Sequence, residues 1–310
     1  DVRVWGRRPE LVEQINRGVN DDYLPGVQLP GGISASTDPA EVTEGAEIVI
    51  LSVPSQSLRD NLANWRSHLS DDATLVSLAK GIETSTLMRM SEVIAEVAEV
   101  PDDQIAVLTG PNLAREVAEG QPAATVIACT DLGRAERLQQ TFNTGYFRPY
   151  TNTDVVGCEI GGAVKNVIAL CVGICEGRDY GDNSKASVMT RGLAETTRLA
   201  LALGGRPETM AGLAGMGDLV ATCSSPLSRN HTAGRLLGAG LSEAEVAARM
   251  TQTAEGMKSA RVVLELARRH GVEMPIVEAV VAVLEGRVAV EQLQPMLLGR
   301  RLKAETPHRD

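Results

Sequence analysis

The chain has 310 residues, enough for two domains with a sizeable core, and its formal charge of −10 argues against a nucleic-acid surface. No secretory signal is visible, and no uninterrupted apolar run is expected to reach the length that spans a bilayer. Five cysteines without framework spacing predict free thiols in a reducing, cytoplasmic compartment, and four scattered histidines predict neither a zinc site nor a serine-type triad.

The first half alternates short apolar runs with amphipathic segments. Val2 to Trp5 reads as a strand, and Pro9 to Arg17 as a helix with proline in its first turn. Glu47 to Val53 is a buried strand ended by Pro54. Gln56 to Leu69 is amphipathic, with apolar positions at Leu58, Leu62, Trp65 and Leu69. Thr74 to Ala79 reads as a strand, Thr86 to Val100 as a helix, Ile105 to Leu108 as a strand and Asn112 to Glu119 as a short helix. A strand over Thr125 to Cys129, a helix through Phe142 and a last short strand from Phe147 to Tyr150 complete the series. Strands alternating with helices predict a mostly parallel sheet covered on both faces.

After Asp154 the strand signals stop. Val155–Cys175, Ser187–Leu203, Arg229–Leu237, Ser242–Met250, Glu255–His270, Pro275–Leu284 and Val290–Leu298 all read as helices, and Ser242-Glu-Ala-Glu245 is a capping box. All the aromatic residues lie at or before Tyr180, so the later core must be built from Ala, Val, Leu, Ile and Met, which suits close-packed helices. The expected architecture is a Rossmann-like doubly wound domain over residues 1–153, followed by an all-helical domain over 154–310 with a frayed tail from Thr306. A doubly wound nucleotide-binding sheet normally opens with a strand, a G-x-G-x-x-G turn and a helix. Here Val2–Trp5 resembles the second strand of such a unit. The expectation is that the first strand, glycine loop and first helix, roughly 25–30 residues, are missing.

The residue type after the second strand of such a unit chooses the cofactor. A carboxylate bonds a ribose 2′-hydroxyl, whereas arginine accommodates a 2′-phosphate. Arg7 and Arg8 occupy that place, so NADP(H) is favoured and NAD(H) possible; an exposed arginine pair at a helix start is the alternative. Lys80-Gly81 and Gly110-Pro111-Asn112 follow strand ends, where ligands of these sheets bind. The glycine beside Lys80 allows a ligand to approach the backbone, and the turn at Gly110 opens a helix whose free N–H groups can hold an anion.

The apolar run Ile160 to Cys175 carries one cation, Lys165. Burial disfavours the ammonium, which brings such a lysine toward proton exchange near neutral pH. The alternative is a lysine that snorkels to the surface or pairs with a carboxylate. Gly212-Leu-Ala-Gly-Met-Gly-Asp218 is glycine-dense, which predicts a tight turn presenting Asp218 to an ammonium such as Lys165. Ser228 is a good N-cap with Arg229 and Asn230 in the first turn behind it, a combination that suits an anion. Thr253-Ala254-Glu255 opens another helix, where Glu255 complements the dipole.

The order and spacing of these motifs resemble bacterial-type NAD(P)-dependent glycerol-3-phosphate dehydrogenases from about Val2 to Lys303. Trp5-Gly6-Arg7, Asp22-Tyr-Leu-Pro25, Lys80-Gly81, Gly110-Pro111 and Gly161-Gly-Ala-Val-Lys-Asn-Val-Ile-Ala169 carry the resemblance. Thr190-Arg-Gly-Leu-Ala-Glu195, Gly215-Met-Gly-Asp-Leu219, Ser228-Arg-Asn230 and Glu273-Met-Pro-Ile276 complete it. The resemblance implies reversible reduction of dihydroxyacetone phosphate to sn-glycerol 3-phosphate, in support of glycerophospholipid synthesis. It implies Lys165 as proton donor and acceptor, oriented by Asp218. Lys80, Gly110, Asn112, Lys165, Asp218, Ser228, Arg229 and Asn230 would line the substrate site. Arg7, Tyr23, Lys80, Ala114, Arg229, Thr253 and Glu255 would contact the cofactor, with Arg8 added from its place beside Arg7. No metal is implied, and a homodimer is compatible with the helical domain. The chain departs from the family pattern at Asn112, where serine or threonine is usual, at Thr253-Ala254, and in the glycine loop. Two other readings remain open on sequence: a hydroxyacid or ketopantoate reductase of the same architecture, and a degenerate, non-catalytic binding module.

Overall fold

The computed structural model describes residues 1–250, 254–302 and 304–305. The first seven strands and six helices interleave. They are β1 (Val2–Trp5), α1 (Pro9–Asn16), β2 (Ile33–Ser36), α2 (Pro39–Thr43), β3 (Ile48–Leu51), α3 (Leu58–Trp65), β4 (Thr74–Ser77), α4 (Met90–Ala98), β5 (Ile105–Thr109), α5 (Ala114–Ala118), β6 (Ala123–Cys129), α6 (Leu132–Phe142) and β7 (Phe147–Asn152). β1 and β2 form a parallel pair, and the other five form a sheet in the order β3-β4-β5-β6-β7. Every pairing is parallel except β5–β6. Leu58, Leu62, Val93 and Ile94 are buried with one face of the large sheet, and Ala135 and Leu138 with the other. Trp5 of β1 meets Trp65 of α3 edge-on, with ring centroids 4.9 Å apart, which ties the small sheet to the large one.

Two elements of this half, β2 and α2, escape the periodicity argument. β2 is only four residues, Ile-Ser-Ala-Ser, and α2 is held by its Asp38 cap and a proline at its start rather than by an apolar stripe. Helix α4 begins at Met90 rather than Thr86. The preceding residues fold back instead: Ile82 pairs antiparallel with Arg89, Glu83 N donates to Met88 O, and Leu87 takes a left-handed φ of 63°.

Helices fill the remainder: α7 (Val155–Gly177), α8 (Asp182–Ala202), α9 (Pro207–Ala211), α10 (Asp218–Ser224), α11 (Arg229–Gly238), α12 (Glu243–Arg249), α13 (Glu255–Arg269), α14 (Pro275–Leu284) and α15 (Leu293–Leu298). The expected capping box at Ser242 and Glu245 is present. α7 is the axle of this half and packs on α8, α10, α11, α13, α14 and β5. By length and composition it could cross a bilayer, contrary to the sequence expectation, but 94% of its most apolar window is buried inside the protein. The charges Glu159, Lys165 and Glu176 interrupt its apolar run, so the sequence did not read as one continuous span.

Glycines set how closely the neighbours of α7 approach. A Cβ at Gly173 would lie 2.2 Å from the carbonyl oxygen of His231, and one at Gly234 would lie 2.2 Å from that of Leu170. Backbone therefore meets backbone between α7 and α11, which fixes the Ser228-Arg229-Asn230 turn against the Lys165 helix.

The glycine-dense segment before Asp218 is not the tight turn expected. Leu213–Gly217 is a wide π-helical turn that runs directly into α10. Its Gly215 packs on the α9 backbone, where a Cβ would meet Met210 O at 2.2 Å. Such widened turns tend to occur at functional sites because they re-aim the residues that follow.

Candidate active site

The carboxyl ends of β3, β4 and β5 lie along one edge of the sheet, and the segments leaving β4 and β5 carry Lys80 and Gly110 toward α7. Lys165 is on the face of α7 that meets α10. Its Nζ donates to Asp218 Oδ1 at 2.6 Å and to Thr222 Oγ1 at 2.6 Å. Lys80 Nζ approaches the same carboxylate from the other domain, donating to Asp218 Oδ2 at 2.7 Å and to the Gly110 carbonyl at 3.0 Å. One buried carboxylate therefore bridges two ammonium groups. The Lys165 and Asp218 side chains are 8% and 3% exposed, and that of Lys80 is 21% exposed, so the cluster opens on the Lys80 side.

Burial is the largest influence on Lys165. It pushes the ammonium down to about 8; the charge of Lys80 pushes the same way, while Asp218 opposes both. Buried as it is, Lys165 does not snorkel to the surface, but the other half of that alternative, pairing with a carboxylate, is what the fold adopts. Thr222 has no place in the sequence reading. Its signal was available: on a helix starting at Asp218, the residue four places on shares Asp218's face.

Asn230 is buried and knits three helices together. Its Nδ2 donates to Asn166 Oδ1 at 3.0 Å, and its Oδ1 accepts from Gly256 N at 2.8 Å. Ser228 Oγ caps α11 by accepting from His231 N at 3.2 Å. Glu255, at the start of α13, does more than complement a helix dipole. Burial raises its carboxyl, opposed by the positive charges of Arg229, Lys165, Lys80 and Lys258, so it looks onto the same cationic cluster. Asn112 Nδ2 donates to Thr125 Oγ1 at 2.9 Å, while its Oδ1 is buried without a hydrogen-bond partner. Ala114 is exposed at the start of α5. Thr253 lies outside the described residues.

Arg7, Arg8 and Tyr23 form a second, exposed group past the end of β1. The Arg8 guanidinium stacks over the Tyr23 ring, 5.8 Å from its centroid, and pairs with Asp22 at 2.7 Å. A carboxylate therefore does stand at this place, which inspection of the residues next to Arg8 did not show. It comes from 14 residues further along the chain. A guanidinium and a carboxylate at this place are the residue types that meet a 2′-phosphate and a ribose hydroxyl, so the residues present suit the adenosine end of a nicotinamide dinucleotide. All five cysteines are free and buried, and no group of three or more metal-ligating side chains exists among the described residues.

A Rossmann-like sheet whose strand ends meet a buried lysine–carboxylate cluster in a helical half is an arrangement that suits nicotinamide-dependent oxidoreductases. Family models sharpen this. The model for the NAD-dependent glycerol-3-phosphate dehydrogenase N-terminus matches residues 1–135, and that for the C-terminus matches residues 154–294. The chain belongs to the NAD(P)-dependent glycerol-3-phosphate dehydrogenase family. It is 61% identical over 298 residues to the glycerol-3-phosphate dehydrogenase [NAD(P)+] of Streptomyces griseus, covering 94% of this chain and 89% of that protein. It is 62% identical over 282 residues to the enzyme of the same name from Thermobifida fusca, covering 91% and 84%. The crystal structure of glycerol-3-phosphate dehydrogenase from Coxiella burnetii superposes with a TM-score of 0.91 at 33% identity, covering 97% of this chain and 92% of that one.

Proposed function

We propose that Lys165 is the acid–base group of this enzyme, in the reversible reduction of dihydroxyacetone phosphate to sn-glycerol 3-phosphate. The observation that carries the assignment is the shared carboxylate: buried Asp218 holds two ammonium groups, one of them tuned to about 8. A bound nicotinamide cofactor supplies the hydride that reaches the ketone carbon. Negative charge then grows on the carbonyl oxygen, and an ammonium beside it both stabilises that charge and protonates it. Asp218 and Thr222 aim the Lys165 ammonium, and Lys80 keeps the cluster net positive, which favours an anionic substrate. The position of Arg229 in the first turn of α11 supports a role in binding the phosphate, which would position the carbonyl for reaction. Gly110, Asn112, Ser228 and Asn230 complete the substrate walls in this reading, and Ala114, Thr253 and Glu255 the cofactor's.

Arg7 and Arg8 support a preference for NADP(H); Asp22, beside Arg8, supports acceptance of NAD(H) as well. A cytoplasmic location is in keeping with five unpaired thiols.

The test is a substrate comparison with a pH profile. The chain should oxidise NADPH with dihydroxyacetone phosphate and leave 2-ketoacids unreduced. Reduction needs the ammonium, so its kcat/KM should fall as pH rises through about 8. Oxidation of glycerol 3-phosphate needs the free amine, so its kcat/KM should rise through the same value. A preference for 2-ketoacids, or two profiles moving in the same direction, would contradict the assignment.

A further inference from the structure

One buried carboxyl group on α7 plays no part in the chemistry above; burial raises it, and Arg89 and Ser91 oppose that by favouring the carboxylate. Glu159 lies six residues before Lys165, about 9 Å along the helix at 1.5 Å per residue. Its side chain is 2% exposed. Its Oε1 accepts from Ser91 N at 2.8 Å, and its Oε2 accepts from Ser91 Oγ at 2.6 Å and from Arg89 Nη1 at 2.6 Å. Arg89 and Ser91 belong to the other domain, at the N-terminus of α4. A carboxylate from the helical half thus caps a helix of the nucleotide-binding half.

The segment this cap holds is the one that carries Lys80. Lys80-Gly81 leads to Ile82, which pairs with Arg89 across the back-folded loop. Ile82 is fully buried in the core of the helical half, and Gly81 packs so closely on Ser55 that a Cβ would lie 2.6 Å from its hydroxyl oxygen. The loop from Lys80 to Ser91 is therefore pinned to α7 at its far end by Glu159, and its near end delivers Lys80 to Asp218.

Resting on the assignment of Lys165, we infer that Glu159 is a positioning residue: through Arg89 and Ser91 it sets the Lys80 ammonium against the Asp218–Lys165 pair. A buried ion pair is weak evidence for stability as such, because desolvation offsets most of its attraction. Spanning the two halves on the helix that bears Lys165, this pair instead fixes the register of the two lysines. The groups that face Lys165 are Asp218, Thr222 and Cys223 from α10, Lys80 from the loop after β4, and Glu255 from α13. Glu159 is not among them, and its hydrogen bonds go to Arg89 and Ser91, which supports an effect transmitted through the loop.

Glu159→Gln puts an amide N–H opposite the donors of Arg89 or Ser91 and loosens the loop. With Lys80 displaced, the charge that helps depress Lys165 weakens and water gains access, and both changes raise its titration. The expected result is a kcat lower by about 10- to 100-fold, with the pH limb moved up from about 8 toward the ordinary lysine value of 10.5. In a Lys80→Ala background the same change should add little, because the residue it acts through is gone. Ser91→Ala, which removes one hydrogen bond only, should shift kcat and limb the same way by less. Wild-type kcat and limb in either folded variant, with only the melting temperature lowered, would overturn the inference. So would an undiminished effect in the Lys80→Ala background. Following the Lys165 titration by NMR separates this from the proposed reaction. A wild-type chain inactive on dihydroxyacetone phosphate, with a Lys165 titration still moved by Glu159→Gln, would refute the reaction and leave the positioning role standing.

Discussion

Replacing Lys165 with methionine should lower turnover by about 10³-fold or more while the protein stays folded. General acid–base catalysis by a placed side chain is worth roughly 10²–10⁴ in rate, and loss of charge stabilisation at the developing oxyanion adds to it. The fold should survive for a specific reason. Asp218 keeps its second partner, because Lys80 remains 2.7 Å from Oδ2. No buried charge is stranded, and methionine's flexible, unbranched chain can take the place of the lysine stem. Steady-state kinetics and a thermal melt on the same preparation check both halves of the prediction. Near-normal turnover would exclude Lys165 as the proton donor.

Asp218→Asn should be as damaging to catalysis and far more damaging to stability. The asparagine amide leaves two ammonium groups facing one another with no anion between them, one of them almost wholly buried. Breaking such a pair from one side costs about 3–5 kcal/mol, because the remaining charge is uncompensated. Asp218 is also the influence that holds Lys165 up against burial and Lys80. Its loss therefore drives Lys165 lower still and depletes the ammonium form that donates the proton. The sign of the stability effect follows. The folded variant binds fewer protons than the unfolded chain below the ordinary lysine range, so its stability should recover as pH rises. Melting temperatures of wild type and variant between pH 6 and 9 read this directly: the deficit should narrow toward alkaline pH. A deficit that is flat with pH would show that the two lysines do not repel.

The same contrast shows what a sequence can and cannot disclose. α3 and α13 are plain in the chain because each buries an apolar stripe, and α7 because nearly its whole length is apolar and buried. β2 and α2 are hidden because they are four and five residues long and lean on caps and partner strands. The start of α4 is misplaced because the Ile82–Arg89 pairing is a tertiary choice that overrides local helix preference. In the site, the Lys165–Asp218 pair is legible because an isolated cation in an apolar helix needs a counter-ion. That Lys80 shares Asp218 across 138 residues of chain is not, since nothing local records it. Asp22 folding back on Arg8, and Glu159 reaching Arg89 and Ser91, are missed for the same reason.

Direct titration of the Lys165 side chain by NMR, with selectively labelled lysine and the Lys165→Met variant to assign the signal, measures the central quantity itself. A midpoint near 8 is expected for the wild-type chain. A midpoint in the ordinary lysine range near 10.5 would mean that the amine is solvated rather than buried against Asp218, and the proton-transfer role assigned to it would be wrong.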